Sequence, residues 1–199
     1  MERKRDSMMK KTIILAMVLL MLITGIAAGE IPYGRRTTLH SRYDSDRQVT
    51  DTQISELLNA AFSMPTGGNQ RALEYYIVTD GEILADMKGG NPYSQALDSA
   101  PCVIVIAADT ESAFYDELLE MDAGIAAGGI LLQAADMDLS SCVLSIAPQE
   151  ERIQSVRSAL NMGDNLRPIL MIALGYPEAD AVTGASVSNW DEGQVHWQR

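Results

Sequence analysis

The chain has 199 residues, 15 Lys and Arg against 27 Asp and Glu, 47% hydrophobic residues and two cysteines, which suits one globular domain of ordinary size. This composition excludes a disordered, collagenous or disulfide-scaffold protein. Residues 1–29 hold five basic residues and only two acids, so the remainder sets ten basic against 25 acidic residues, a surface that repels nucleic acid and anionic membrane. No nucleic-acid role is expected.

In chain order, the first feature is the nearly unbroken apolar stretch of residues 12–28, preceded by Lys10 and Lys11 and followed by Glu30, Pro32 and Gly34. A basic start, an apolar middle and the small residues Ala27, Ala28 and Gly29 make the layout of a secretory signal peptide. Seventeen residues also reach the lower limit of a bilayer span, so an uncleaved membrane anchor is the second reading. Residues 1–29 are therefore set apart from a domain of residues 30–199. Either reading places that domain in an exported, extracytoplasmic location, periplasmic or membrane-anchored, with the basic flank inside.

From Thr50 the helix signals agree. Thr50 and Gln53 have capping-box spacing, Val49 and Ile54 can form a staple, and Ile54, Leu57, Leu58, Ala61 and Phe62 share one face. Pro65 and the Gly67, Gly68 pair end that helix, and a loop over residues 65–70 leads to a strand at residues 75–78. Ile83, Leu84 and Met87 predict a brief helix that stops at Gly89 and Gly90. Residues 102–108 form a continuous apolar run of strand length. A long helix is expected over residues 112–137, with Gly124 and Gly128 four apart. This spacing permits close backbone approach, so the helix is read as packed on the sheet or on a second subunit. A strand at residues 142–147, a helix at 148–160 and a strand at 168–174 complete an α+β or α/β order.

Cys102 and Cys142 lie in apolar runs. A disulfide is permitted in an exported domain, and two buried thiols are the alternative. His40 and His196 have no partners at metal-ligand spacing, so no metal site is expected. No nucleophile elbow, P-loop or dinucleotide-binding glycine motif occurs. With so few catalytic side chains, difficult chemistry would belong to a bound cofactor.

Six blocks, taken in order, resemble the nitroreductase family of FMN-dependent oxidoreductases. They are the helix and loop I-S-E-L-L-N-A-A-F-S-M-P-T-G-G-N-Q with the following E-Y-Y-I-V-T-D, then P-C-V-I-V-I-A-A-D-T-E, D-A-G-I-A-A-G-G-I-L-L-Q-A-A, S-S-C-V-L, R-P-I-L-M-I-A-L-G-Y-P and V-H-W. The resemblance implies an α+β fold with a central, mainly antiparallel sheet flanked by helices. It also implies an intertwined homodimer with FMN in clefts at the subunit interface. By position, Pro65, Thr66, Gly67 and Asn69 would line the flavin, Thr66 standing where the family has Ser. Leu144, Ser145 and Ile146 occupy the place where the family presents backbone N–H groups to flavin N5.

The chain also departs from that pattern. The family's opening arginine-rich run is here T-L-H-S-R-Y, in which Ser41 and Arg42 would hold the FMN phosphate and ring edge after a one-residue gap, with His40 adjacent. Arg35 and Arg36 are a second candidate pair. Near the C-terminus Ser188 and Asn189 stand where a basic residue is usual, and Gly128 and Gly129 replace Gln-Asn. The resemblance implies hydride transfer from a reduced nicotinamide, NAD(P)H, or another donor through FMN to a small electrophilic substrate. A non-catalytic small-molecule-binding protein with weakened FMN affinity is the alternative.

Overall fold

Thr50 opens the first helix, α1 (Asp51–Phe62), with both halves of the expected capping box: Gln53 N–H donates to Thr50 Oγ1 at 3.3 Å and Thr50 N–H to Gln53 Oε1 at 3.1 Å. Such a cap contributes about 1 kcal/mol. These and all following contacts are from a computed structural model that describes residues 32–185 and 188–198. The expected leader, residues 1–29, lies outside the described residues.

The strands are β1 (Thr37–Thr38), β2 (Leu73–Val78), β3 (Cys102–Asp109), β4 (Ser140–Ser145), β5 (Leu166–Gly175) and β6 (Gly184–Ala185). They form one mixed six-stranded sheet in the order β2-β3-β5-β4-β1-β6. Its four long members are antiparallel, whereas β1 runs parallel to β4 and pairs antiparallel with β6. Pro168 sits inside the central β5 because it pairs with Ala107 at a register shift of β3, a place where a missing N–H is tolerated.

Helices cover both faces. On one side α1 and α3 (Leu119–Asp136) bring Leu57, Ala61, Ala123 and Ile130 against Ile104 and Ile106. On the other, α2 (Gly81–Met87) and α4 (Glu150–Ala159) bring Leu84, Met87, Ile153 and Val156 against Val103 and Val105. Burial on both faces explains why β3 reads as a continuous apolar run rather than an alternating one.

Three expectations are corrected. The long helix starts at Leu119, not near residue 112, because the N–H groups of Phe114 and Tyr115 are bound by Gln70 Oε1 and the chain turns there. The strand expected at residues 142–147 is Ser140–Ser145; Ile146 and Ala147 both donate to Ile169 O, which ends regular pairing. Cys102 and Cys142 are free, and they belong to cores on opposite faces of the sheet, so the permitted disulfide does not form.

The glycines of α3 divide their roles. A Cβ at Gly129 would lie 3.0 Å from Ala60 O, so Gly129 is where α1 and α3 approach closely. At Gly124 and Gly128 a Cβ would meet nothing within 4 Å, and both are part of the outward side of the helix. Residues 116–136 are long and apolar enough to cross a membrane, yet half of that stretch is buried inside the fold, as expected of a core helix.

Candidate functional site

The glycine-containing loop after α1 is held from beneath by a buried carboxylate. Gly67 N–H donates to Asp122 Oδ1 at 2.7 Å and Gln70 Nε2 to Asp122 Oδ2 at 2.8 Å. Gln70 Oε1 in turn accepts from Phe114 N–H at 3.1 Å and Tyr115 N–H at 3.0 Å. Gly68 has φ 56°, and a Cβ there would come 2.5 Å from the Tyr115 ring, so only glycine fits. Above this base Thr66 Oγ1 accepts from Arg71 N–H and Asn69 Oδ1 from Arg71 Nε, each at 3.2 Å. Pro65 and Asn69 are exposed, and Thr66 and Gly67 half-buried.

The second part lies at the end of β4. Leu39 N–H donates to Ser141 O, so Ser141 directs its carbonyl away from β5 and toward the β1 side. Ile146 N–H donates to Ile169 O, toward β5. Antiparallel pairing alternates these directions residue by residue, so the N–H of Leu144 is in the ladder with β5 and that of Ser145 points outward. Leu144 and Ile146 are buried in the core, whereas Ser145 is exposed and its N–H has no partner among the described residues. Arg152, on the first turn of α4, donates from Nη1 to Ser145 O at 3.2 Å and to Ser145 Oγ at 3.1 Å. The three expected backbone positions thus reduce to one available donor, with a guanidinium beside it.

The third part is the run before α1. Leu39 and Tyr43 are buried, and the Tyr43 hydroxyl donates to Leu39 O at 2.7 Å. Burial pushes that phenol far above its ordinary range. Ser41 is exposed. Arg42 has φ 64° and grips Glu178 Oε2 at 2.7 Å and Asp180 Oδ1 at 2.6 Å from one nitrogen. Its hydrogen bond and charge hold the Asp180 carboxyl below the usual carboxylate range. Arg35 pairs with Asp136 and Asp138, and Arg36 donates to Thr38 Oγ1. His40 Nδ1 lies 3.4 Å from Cys142 Sγ, whose thiol is pushed up by burial.

Loop and strand end share one end of the sheet. The row Ser145, Leu170, Ile106, Tyr75 crosses from β4 to β2, three strand spacings or about 14 Å. Sequence reasoning had Gln70 only as the last residue of the loop and Arg71 only as one of five N-terminal arginines that could meet a phosphate, and it gave no site role to Asp122 or Arg152. The first two follow directly on the motif's Asn, and Asp122 heads the D-A-G block, but nothing local ties them together.

This arrangement of sheet, loop and strand end coincides with a family match: the nitroreductase family model fits residues 33–90 and 88–176. The chain belongs to the nitroreductase family. An Archaeoglobus fulgidus protein, provisionally named NADH dehydrogenase/NAD(P)H nitroreductase, is 29% identical over 168 residues, covering 84% of this chain and 95% of the relative. Among solved structures, a Clostridium acetobutylicum protein provisionally named NADH oxidase is 30% identical, with TM-score 0.77 over 84% of this chain and 99% of the other. An FMN-dependent nitroreductase of Clostridium difficile is 26% identical, with TM-score 0.72 over 85% of this chain and 98% of the other. This nitroreductase-family chain therefore matches these three relatives over nearly their whole length.

Proposed function

We propose that this chain is an FMN-dependent oxidoreductase that passes hydride from NAD(P)H or another reduced donor to a small electrophilic acceptor. One observation carries the reading: the outward N–H of Ser145, unpartnered among the described residues, beside the Arg152 guanidinium. A lone backbone donor at a strand end fits a flavin's ring nitrogen, and a nearby cation favours its reduced, more negative form. The names of the Archaeoglobus fulgidus and Clostridium difficile relatives support the same chemistry.

When bound, FMN supplies hydride transfer; the chain supplies position and field. Ser145 orients the ring edge, while Leu144 and Ile146 act only by fixing Ser145, since both are turned inward. Pro65, Thr66, Gly67 and Asn69 line the cofactor from the loop, held rigid by Asp122 and Gln70. Arg42 is committed to Glu178 and Asp180, so Ser41 is the member of the expected phosphate pair left to meet the phosphate.

The molecule works as a homodimer in this reading. Met121, Gly124, Ile125, Gly128 and Leu132 form an outward stripe on α3, and Trp190 and Trp197 of the C-terminal segment are exposed, surfaces suited to a second copy. Residues 1–29 act as an export signal or membrane anchor, supported by their basic-apolar-small layout; N-terminal sequencing of the mature protein separates the two.

The test is reconstitution of the purified chain with FMN, followed by anaerobic addition of NADH or NADPH. Flavin absorbance that bleaches with either donor is expected; a colourless protein after reconstitution would overturn the proposal. The ion-paired state of Arg42 favours a second reading, a non-catalytic binding protein with weak FMN affinity. Calorimetric FMN affinity in the micromolar range or tighter excludes it.

A further inference from the structure

We propose that residues 109–120, between β3 and α3, form a docking surface for a basic, lysine-rich protein, with Phe114 and Tyr115 as its apolar centre. Phe114 is 77% exposed and Tyr115 47%, while Ala113 packs against the core. A single apolar side chain at the surface is ordinary; two adjacent aromatic rings make a patch, and aromatic residues are the ones that anchor interfaces.

The segment is held in one shape. The N–H groups of Glu111 and Ser112 donate to Asp109 Oδ1 at 3.0 and 3.4 Å, and the Thr110 hydroxyl donates to Asn165 O at 2.8 Å. Further on, Gln70 Oε1 accepts from the N–H groups of Phe114 and Tyr115, and Leu118 N–H closes a turn on Tyr115 O at 3.0 Å. Both halves are pinned, so the two rings already face outward in the free chain. An anchor held in place costs a partner little ordering entropy.

The charge around the rings selects the partner. Residues 110–120 hold Glu111, Asp116, Glu117 and Glu120 and no base. Glu111, Asp116 and Glu117 are exposed and make no ion pair among the described residues, whereas Glu120 is matched by Arg167 at 3.3 Å. Asp116, Glu117 and Glu120 also line a groove of about 400 Å³ with Thr110, Leu119 and Arg167. There a lysine lays its methylene stem along Leu119 and sets its ammonium on Asp116 and Glu117. The same carboxylates repel nucleic acid and anionic lipid, and a neutral protein would desolvate them without a counter-charge. A protein with lysines around an apolar contact answers both features.

This surface adjoins the cofactor loop, since the Tyr115 ring lies over Gly68 and the Leu118 side chain over Gly67. Docking does not depend on the oxidoreductase reading. The experiment is biolayer interferometry on the full chain at low salt, with cytochrome c as the lysine-rich probe protein and the same protein with its lysines acetylated. Saturable binding of the native probe is expected, weakened at least about tenfold by acetylation and by physiological salt. Phe114→Ala, which changes no charge, should weaken it about tenfold, as for an interface anchor. Asp116→Lys with Glu117→Lys should weaken it at least about tenfold more than Glu82→Lys with Asp86→Lys, the same change in charge placed on α2. All five substituted residues are exposed, and unchanged thermal melting shows that the variants fold. No saturable binding, wild-type affinity in Phe114→Ala, or equal effects of the two charge reversals would overturn the proposal, the last by reducing the attraction to net charge. Sedimentation tests a second copy as the occupant: a change of oligomeric state in Phe114→Ala would show that another subunit covers the rings, and would overturn it too.

Discussion

Gln70 and Asp122, 52 residues apart in sequence, meet in the interior at 2.8 Å, and through Gln70 that carboxylate also organises the backbone of Phe114 and Tyr115. Asp122 is 1% exposed and lies on α3, so the helix that anchors the core also fixes the loop. In Asp122→Ala the Gly67 N–H and the Gln70 amide both lose their buried side-chain acceptor. Each such bond contributes roughly 1.5 to 3 kcal/mol, and the expected loss of stability is about 3 kcal/mol. Urea unfolding with an unchanged slope measures it, and FMN affinity should fall at least about tenfold in the same variant. A loss under about 1 kcal/mol would show that the loop holds its shape without the carboxylate.

The Ser145 N–H points away from the ladder, so it can be removed without breaking the sheet. Ser145→Pro is expected to fold, because a proline whose missing N–H faces outward is tolerated at an edge, and to lose FMN affinity by about tenfold or more. Ser145→Ala, which keeps the N–H, should bind near wild type. Arg152→Gln should make the flavin's midpoint potential more negative, by about 30 mV if the cation favours the reduced form tenfold. Equal FMN binding by Ser145→Pro and Ser145→Ala would remove Ser145 from the cofactor site.

Gly128 has open space where a side chain would go. Gly128→Leu therefore costs the isolated subunit nothing in packing and improves helix propensity by about 0.8 kcal/mol. Between two α3 stripes the same side chain would be an obstruction. Sedimentation should show a dimer for the wild type and a folded monomer for Gly128→Leu; a wild-type monomer, or a dimeric variant, would contradict this interface.

Arg42 ties the segment after β5 to the run after β1 through Glu178 and Asp180. Because Arg42 lowers the Asp180 carboxyl below its ordinary range, the stabilisation is present above the unfolded value, about pH 3.9, and disappears as pH falls through the folded value. Both groups are largely exposed, so the effect should be small and should shrink further in high salt. Acid unfolding curves of wild type and Arg42→Gln should separate at neutral pH and converge once the pH has fallen below the folded value of Asp180. Curves that stay apart in acid would assign the role of Arg42 to packing.

Burial pushes the Cys102 thiol up to about 12 and raises that of Cys142 as well. Neither should be labelled by a thiol reagent at pH 8 in the native protein, and both should react once denaturant is added. Rapid native labelling would show that the sheet opens locally around β3 or β4.

Much of the architecture is legible in the residues because it is set by short-range physics. The cap at Thr50, the amphipathic face of α1, the glycine stop at residues 67–68 and the unbroken run of β3 are each decided within a few positions. The six blocks in order carried the family likewise. The errors fell where a distant partner intervenes: Gln70 turns residues 112–115 out of the long helix, and Ile169 ends β4 early.

What the amino-acid sequence determined by itself is the four long strands and four helices, the family, and the two segments, residues 65–70 and 144–146, that the family likeness marks. Only the tertiary structure decided which groups in those segments are free to act. It committed Arg42 to two carboxylates and left Arg71 without one. It left the Ser145 N–H outside the ladder and placed Asp122 beneath the loop. The reason is that a hydrogen bond or an ion pair is made by whichever complementary group the fold brings within about 3 Å, and that proximity is a property of strand order and helix packing, not of spacing along the chain.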